Sequence, residues 1–536
     1  MNMRHVFLVG IFLGFFSLSA LGQTGIWQWS VQVRNFSTRP KHPDVRAYLW
    51  IPEKCKQIKA ILVAQHNMEE ISILEDAAFR RRMAQLDVAQ IWVCPSFDLG
   101  FDFTDRAWET LDGLLADLAR ESGYKELATA PLIAIGHSAA ASWPYYLAAY
   151  QPERTLACIS VSGQWPYHRD QWLCKDIWGN RNINNIPCLE TMGEYEAAHT
   201  WSNEGLKERK EHPLLPLSML ACPAEGHFAY TPGKAEYIAL YIKKAMQYGR
   251  VDPTKTGWLM ERWKKNEQPS CKPAPVNQYK GDPAQAFWFF DREMVEATSA
   301  YQSRYRNLKP QLVSVAQEGK TVIQQNSHLQ VHPAFQPQED GITFRLTPVF
   351  LDTVPGESPR LSNWTDLPVG TSIGHAEGIQ PALQMITGPA VLADSETFRV
   401  AWNRGTLWTE SKADIVFAIT HPGDKEYKPA VQQAQITIPV RNTEGSSQQI
   451  SFTKLPDVKR GVRSIPLQAV SNSGLPVGFY VESGPAYVDG TRLILTPIPP
   501  KATYPVKVTV IAWQYGRKSA PQVQTAEPVR QTFYIR

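Results

Sequence analysis

The sequence predicts an α/β protein that begins with a doubly wound, mostly parallel sheet and continues into one or two β-sandwich domains. Between Val45 and Tyr248, short β-branched runs alternate with helical stretches, the pattern of a parallel sheet with crossover helices. After about Thr321 the helical patterns end, and short alternating runs recur between Gly, Pro and Asn turns, as in β-sandwiches. A chain of 536 residues with 43% hydrophobic residues is long enough for roughly two to four domains.

The first domain is predicted over residues 23–250. Its strands are predicted from short apolar runs, at Val45–Ile51, Ala60–Gln65, Gln90–Cys94, Pro131–Ile135, Leu156–Val161, Ile186–Met192 and Leu217–Cys222. Its helices are predicted from helical spacing between those runs, near Ile71–Leu86, Ala107–Ser122, Ser138–Tyr150 and Lys234–Tyr248. Strands alternating with helices in this way favour one doubly wound domain of ordinary size.

A linker is predicted over residues 251–320, where the composition changes after Arg250. This segment is rich in Pro, Lys and Trp, and then predicts one helix over Ala284–Ala300. The predicted helix carries four aromatic residues, Phe287, Trp288, Phe289 and Phe290. A helix with so many aromatic side chains has to bury them, so we expect it to pack on the first domain.

Two β-rich modules are predicted over residues 321–445 and 446–536, because a polar break near Thr443–Ser447 divides the region. The second module contains Ser473-Gly474-Leu475-Pro476-Val477 and Ser483-Gly484-Pro485-Ala486. These segments resemble an immunoglobulin-like repeat common in exported bacterial surface proteins. The resemblance covers that module alone and implies a fold rather than a chemistry.

The first 22 residues have the pattern of a secretory signal. Arg4 and His5 precede an apolar run from Val6 to Phe16, and small residues follow as far as Gly22, which gives the three regions of a signal peptide. The run is too short to cross a bilayer, which needs about 20 apolar residues. We therefore expect cleavage after Gly22, export to the periplasm, cell surface or medium, and no membrane span in the mature chain.

Charge and cysteine usage exclude several partner classes. A net charge of +4, with no run of Lys and Arg, does not predict a nucleic-acid partner. None of the seven cysteines has metal-type spacing, so we predict neither a metal nor a cofactor. Cys174 has Cys271 or Cys55 as possible disulfide partners in an oxidising compartment. Four cysteines lie in apolar runs and are interpreted as small buried hydrophobes, namely Cys94, Cys158, Cys188 and Cys222.

The segment Gly136-His137-Ser138-Ala139-Ala140 directly follows a predicted strand and precedes a predicted helix. A serine nucleophile on a sharp strand-to-helix turn needs small residues two before and two after it, because the turn brings those backbones close. The second small residue here is Ala140 rather than glycine. With this motif the chain resembles the α/β-hydrolase superfamily over about Val45 to Tyr248. The resemblance implies that fold and Ser138 as nucleophile.

In this superfamily the triad runs in the order nucleophile, acid, histidine, with the histidine after the last strand. The resemblance assigns the histidine to His227, within Ala224-Glu225-Gly226-His227-Phe228. It assigns the acid to Glu196, in a turn that follows a predicted strand. The alternatives that stay open are His168, His199 and His212 for the base, and Glu194 and Asp176 for the acid.

An oxyanion hole in this fold takes one backbone N–H from the residue after the nucleophile and one from the loop after the third strand. The resemblance therefore implies Ala139 as one donor. Asn67 or Met68, just after the run Ala60–Gln65, is the predicted second donor. His66 stands at the end of the same run, where we expect a structural role.

Five aromatic residues, Trp143, Trp165, Tyr167, Trp172 and Trp178, follow the predicted nucleophile turn and a later strand. This fold places loops over its active site at such positions. The rings either stack on sugar rings or aryl acids, or form the core of a cap. Trp165, Trp143 and Tyr167 are our candidates for substrate binding.

These observations favour an exported serine hydrolase that removes acetyl, methyl or feruloyl esters from a polysaccharide or hydrolyses a small ester. That substrate class is implied by analogy of architecture. Two alternatives stay open: a serine peptidase of the same superfamily, and a non-catalytic surface protein that binds glycans or mediates adhesion. Since Ser138 and His227 precede Arg250, we expect a chain ending near Lys309 to be soluble and active on a small ester.

Overall fold

A computed structural model describes five stretches of the chain, residues 25–38, 42–168, 175–324, 330–356 and 364–536. The predicted signal segment, residues 1–22, lies outside the described residues. So do Trp172 and Cys174. The predicted export and the predicted pairing of Cys174 therefore stay predictions.

An eight-stranded sheet forms the centre of the first 250 residues. Its strands β1 to β8 are Trp29–Gln32, Arg46–Trp50, Ala60–Gln65, Val88–Cys94, Leu132–His137, Thr155–Val161, Cys188–Gly193 and Leu217–Cys222. They lie in the order β1-β2-β4-β3-β5-β6-β7-β8. β2 is antiparallel to both of its neighbours, and β3 to β8 are parallel. The predicted doubly wound, mostly parallel sheet is confirmed.

Burial on both faces explains why the parallel strands were readable as continuous apolar runs. Every residue of β3, β5 and β8 is buried. β1 was not predicted. It has only four residues, and Trp29 and Val31 alternate there with the more exposed Ser30 and Gln32, which is too short a pattern to stand out.

Six helices accompany the sheet. Helices α1 to α6 are Glu70–Glu75, Ala77–Gln85, Ala107–Ser122, Trp143–Tyr150, Ala198–Glu211 and Pro232–Tyr248. The helix predicted near Ile71–Leu86 is two helices, because Asp76 is extended and its side chain accepts the N–H of Phe79. α5 was missed because its sequence is mostly polar. No helix in the described part of the chain is long and apolar enough to span a membrane.

The aromatic run of the predicted linker forms a strand, which corrects the predicted helix over Ala284–Ala300. The elements of this region are β9 (Trp258–Glu261), β10 (Ala274–Pro275), β11 (Ala286–Phe289) and α7 (Arg292–Gln302). The helix begins only after Asp291, whose side chain accepts the N–H of Met294 at 3.0 Å. Residues on both faces of β11 are buried in the same apolar core as the large sheet, so the run has no polar face that a surface helix requires.

The rest of the described chain consists mainly of small sheets. Strands β12 to β29 are Val313–Gln317, Lys320–Thr321, Gln330–Val331, Thr343–Arg345, Thr347–Phe350, Ala382–Thr387, Ala390–Leu392, Thr397–Val400, Lys412–His421, Ala430–Pro439, Ile450–Phe452, Ser464–Pro466, Ala469–Ser471, Gly478–Ser483, Ala486–Asp489, Arg492–Leu495, Val506–Trp513 and Val529–Ile535. Their pairings are antiparallel except for β14 with β21. We call residues 312–440 the first β unit and residues 446–536 the second β unit.

The first β unit packs on the edge of the large sheet where the parallel strands end. Tyr195, which follows β7, and Ala229, which follows β8, share an apolar cluster with Trp364 and Val431 of this unit. Gly226 illustrates how close the contact is, because a Cβ added there would lie 2.2 Å from the side-chain nitrogen of Gln433. The loops at this edge are therefore covered by the β unit.

The second β unit contacts a different part of the α/β region. The N–H of Gly484 donates to the carbonyl of Trp27 at 3.0 Å, and the N–H of Thr503 donates to the carbonyl of Ser122 at 3.0 Å. Lys501 also pairs with Glu126 at 2.9 Å. The second unit is thus joined to the segment just before β1 and to the end of α3.

Buried thiols match the interpretation of four cysteines as core residues. Cys94, Cys158, Cys188 and Cys222 are buried in the apolar core of the large sheet. Cys55 is buried and Cys271 is partly exposed, and neither forms a disulfide with another described residue. The apolar environment explains why Cys94, Cys158, Cys188 and Cys222 lie in apolar, strand-like runs.

The packing reverses the expectation that a chain ending near Lys309 is soluble and active. That chain would lose the first β unit and expose the apolar side chains of Tyr195 and Phe228, which this unit covers. We expect it to aggregate or to unfold at a lower temperature than the full chain, since exposed apolar patches promote association. Solubility and thermal unfolding measure this. Equal melting temperature and equal turnover of p-nitrophenyl acetate would contradict the expectation.

Candidate active site

Ser138 stands on a strained turn at the carboxyl end of β5. Its φ is +54°, a conformation that residues other than glycine rarely adopt and that recurs at functional sites. Gly136 makes the turn possible, because a Cβ there would lie 1.8 Å from the carbonyl oxygen of Ala140. Ala140 is fully buried in the core, so a methyl group is accommodated at the position where glycine is common in such turns.

His227 lies in the loop after β8 and reaches Ser138. Its Nε2 is 2.8 Å from the Oγ of Ser138. The loop is held from behind by His137, whose Nε2 is 2.7 Å from the carbonyl oxygen of His227. Burial lowers the pKa of His137 well below its usual value, so this ring is neutral and its Nε2–H donates to that carbonyl. The contact fixes the backbone from which the His227 ring projects.

Glu196 completes a hydrogen-bonded chain with these residues. It ends the short 3₁₀ turn Glu194–Glu196 after β7, and its Oε2 hydrogen-bonds the Nδ1 of His227. Burial opposes the charged form of both groups, but their mutual attraction outweighs it. The pKa of His227 is therefore raised and that of Glu196 lowered. This arrangement leaves Nε2 of His227 to accept a proton from Ser138.

The alternative acids and bases lie elsewhere. Asp176 is exposed. The ring of His168 packs edge-on against Trp201 at a centroid distance of 5.2 Å, and that of His212 stacks on Tyr167 at 3.6 Å. His199 lies in the first turn of α5, and its carbonyl accepts a hydrogen bond from the hydroxyl of a serine in that helix. Of the predicted candidates, the structure brings Ser138, His227 and Glu196 together.

Glu194 has a different partner, Lys428 of the first β unit. The Nζ of Lys428 is 2.7 Å from Oε1 of Glu194, with side chains 6% and 5% exposed. The other oxygen of Glu194 accepts the N–H of Ala224 at 2.8 Å, in the loop after β8. Tyr195 donates its hydroxyl to the carbonyl of Pro429 at 3.0 Å. The first β unit therefore holds the turn that contains Glu196. Through Glu194, that turn is also bonded to the loop after β8, which carries His227.

The predicted second oxyanion donors are already engaged. The N–H groups of Asn67 and Met68 both donate to Oε2 of Glu70, at 3.1 and 2.8 Å. Glu70 is fully buried and also accepts the N–H of His137 at 2.8 Å. Burial raises the pKa of Glu70 to about 7, although these N–H groups favour its charged form. Neither N–H is free for an oxyanion in this arrangement, because each carries a single hydrogen.

Ala139 differs from those two residues. It is the second residue of the 3₁₀ turn Ser138–Ala140, where a backbone N–H has no acceptor within the turn. Asn67 also has a bracing role, since its side-chain nitrogen donates to the carbonyl of His137 at 2.9 Å. Ala139 therefore stays our candidate oxyanion donor, and Asn67 supports the backbone beside Ser138.

Two of the three aromatic residues chosen for substrate binding are core residues, which corrects that prediction. Trp143 is fully buried and its Nε1 donates to the carbonyl of Ile135 at 3.1 Å. Trp165 is 1% exposed and stacks on Phe287 at 5.8 Å. Neither ring offers a face for stacking on a sugar. Tyr167 is partly exposed, and its ring stacks on the ring of His212 at a centroid distance of 3.6 Å.

Comparisons with known proteins are limited to fold similarity. No protein-family model matches the sequence, and no curated protein matches it. Among solved structures, the chain is similar to esterase PE8, at 16% identity over 37% of this chain and 97% of that one, with a TM-score of 0.27. It is similar to Est1E from Butyrivibrio proteoclasticus, at 16% identity over 38% and 93%, with a TM-score of 0.26. At these scores the assignment below rests on this chain's own geometry.

Sequence reasoning missed Glu70, Lys428 and Gln433. Glu70 had a local signal, because it lies three residues after Asn67, the spacing at which a glutamate reaches back to a backbone N–H in a capping box. Lys428 contacts a residue 234 positions earlier in the chain. Contacts of that kind leave no local pattern in one sequence.

Replacing Glu196 with Gln tests the electrostatic coupling in the site. The carboxylate raises the pKa of His227, so its removal should lower that pKa and move the acidic limb of the kcat/KM profile to lower pH. The maximal rate should also fall by about 10²–10⁴-fold, because the imidazolium loses its stabilising partner. Initial rates on p-nitrophenyl acetate across pH give both quantities. An unchanged profile would exclude Glu196 from the site.

Replacing Lys428 with Met tests whether the first β unit positions the acid. The change leaves the buried Glu194 carboxylate without its nearest cation, since Lys265 is 3.7 Å away and pairs with Asp366 at 2.6 Å. We expect kcat on p-nitrophenyl acetate to fall by about 10–100-fold through displacement of Glu196. Lys428→Arg should recover part of the rate.

Lys425→Met, an exposed neighbour, is the matched control and should keep the parent rate. Glu194→Gln combined with Lys428→Met should be less damaging than Lys428→Met alone, since no unpaired charge is then buried. A folded Lys428→Met protein with the parent kcat would show that the pair only joins the two units.

Proposed function

We propose that the chain is a serine hydrolase that cleaves carboxylic esters at Ser138. The observation that carries the proposal is the hydrogen-bonded chain Ser138–His227–Glu196 on a turn where Ser138 has a φ of +54°. A nucleophile held in this way, at the carboxyl edge of a doubly wound sheet, is the arrangement that acyl transfer requires.

In the proposed reaction, the Oγ of Ser138 attacks the ester carbonyl while Nε2 of His227 takes its proton. Glu196 keeps Nδ1–H of His227 in place and stabilises the imidazolium. The N–H of Ala139 stabilises the oxyanion. His227 then gives the proton to the leaving alcohol, which leaves an acyl group on Ser138. Water, activated by the same histidine, releases the acid and restores Ser138.

The finer proposal is that the ester is an acetyl, methyl or feruloyl group on a polysaccharide, and that the protein is exported. It is supported by the signal-like first 22 residues and by the appended β-rich region. We also propose the division into residues 23–250, 251–320, 321–445 and 446–536, with an immunoglobulin-like last module. Contacts between the first β unit and the loops after β7 and β8 support a joint role of these segments in the site.

Ser138→Ala is the direct test. It should reduce hydrolysis of p-nitrophenyl acetate to a residual rate, because a triad without its nucleophile keeps only about 10³–10⁴-fold acceleration over water. Ser303→Ala, at an exposed serine whose hydroxyl donates to the carbonyl of Ala300 in the preceding helix turn, is the matched control and should keep the full rate. Circular dichroism checks folding. Parent-level turnover by a folded Ser138→Ala protein would refute the proposal.

A further inference from the structure

A cleft lies between the α/β region and the first β unit, next to the candidate active site. Its volume is about 590 Å³, within the range of roughly 300–1,000 Å³ typical of ligand sites. One wall is the loop of Asn67 and Met68, and the opposite wall comes from β17, β18 and β20. Asn67 also hydrogen-bonds the carbonyl of the residue before Ser138. The cleft therefore begins at the loop that braces the nucleophile turn.

Three buried nitrogen atoms of residues in the walls have no hydrogen-bond partner among the described residues. They are Nε1 of Trp92, Nη1 of Arg404 and Nδ1 of His66, and all three residues line the cleft. Trp92 is 2% exposed. The other terminal nitrogen of Arg404 donates to the carbonyl of Val481 at 3.2 Å, while Nη1 lies 4.0 Å from Glu75. Buried polar groups are nearly always hydrogen-bonded, so the walls of the cleft contain hydrogen-bonding capacity that the described residues do not use.

The charges of the lining favour a neutral ligand over an anion. Arg404 and Lys412 stand against three carboxylates, those of Glu75, Glu410 and Asp414, so the lining has no excess of positive charge. Donors and acceptors thus occur together in one cleft. A hydroxyl group both donates and accepts hydrogen bonds. A ligand with several hydroxyl groups can therefore bond to the donors and to the acceptors of the cleft lining.

Part of the cleft is apolar. Met68, Ile71, Met385, Ile386 and Val416 line it. Apolar side chains of this kind pack on the C–H face of a ring whose hydroxyl groups lie around its edge. A sugar ring has both features, whereas a purely apolar acyl chain would offer no hydrogen bonds to the polar side chains of the lining, such as Asn67, Glu410 and Lys412.

We propose that this cleft binds a neutral sugar residue linked to the ester that Ser138 hydrolyses, an inference that rests on the proposed function. The first β unit then supplies half of the substrate site. Specificity for a glycan ester over a small ester arises from this unit, while the bond-breaking groups come from the α/β region.

Filling the cleft is the test. Thr387 lines it at the end of β17 and is half-buried, whereas Ala382, at the other end of the same strand, is exposed and outside the lining. Thr387→Trp and Ala382→Trp therefore form a matched pair. In the full chain, Thr387→Trp should fill part of the cleft with an indole ring. Ala382→Trp should behave like the parent in every assay.

Binding is measured with the Ser138→Ala protein, so that no turnover occurs. The ligands are neutral oligosaccharides built from xylose, mannose, glucose or galactose, and oligouronates. We expect at least one neutral series to bind, with affinity reduced about tenfold or more by Thr387→Trp and unchanged by Ala382→Trp. No neutral binding at millimolar concentration, binding of oligouronates alone, or equal affinity of both Trp variants would overturn the inference.

A second variant covers the case in which Thr387→Trp does not fold. Glu410 lines the cleft with a side chain 52% exposed, so Glu410→Ala preserves the fold and removes one acceptor. It should weaken binding of the same neutral oligosaccharide, and unchanged affinity would contradict the inference. Since these assays use a protein without Ser138, their failure is distinct from failure of the proposed hydrolase activity.

Discussion

The buried ion pair of Glu194 and Lys428 determines how the candidate site is assembled. Glu194 is two residues before Glu196, and it also holds the loop after β8 through the N–H of Ala224. Removing one partner from a buried pair costs about 3–5 kcal/mol, because the other charge is left uncompensated. The first β unit thus has to be in place for the acid turn and the histidine loop to keep their relative positions.

This dependence makes the site a product of two parts of the chain. The large sheet supplies the strained turn of Ser138 and the loop of His227. The first β unit covers the loops after β7 and β8 and closes one side of the cleft. The side chains of His227 and Glu196 are only 12% and 15% exposed, and their attraction is stronger in such a low-dielectric environment than in water. Catalytic groups and substrate contacts are therefore expected to depend on one interface.

Much of the large sheet was predictable from the sequence because its parallel strands are buried on both faces. Ala60–Gln65 and Leu217–Cys222 were predicted with the bounds that the structure has. Ser138 was predicted from a local turn motif, and His227 and Glu196 from the chain order that the family resemblance implies. The aromatic run at β11 was misread because its local sequence fits a helix as well as a strand, and only the neighbouring sheet decides. The burial of Trp143 and Trp165, and the contacts of Lys428, depend on tertiary packing that no local pattern records.

The central claim is that Ser138 is an activated nucleophile, and covalent trapping tests it most directly. The full chain is treated with a fluorophosphonate, digested and mapped by mass spectrometry. A serine activated by His227 should carry one phosphonyl group on the peptide that contains Ser138, and replacement of His227 with Ala should abolish the adduct, since the hydroxyl is then not deprotonated. No adduct on the folded parent chain, or an adduct on a different serine, would contradict the account.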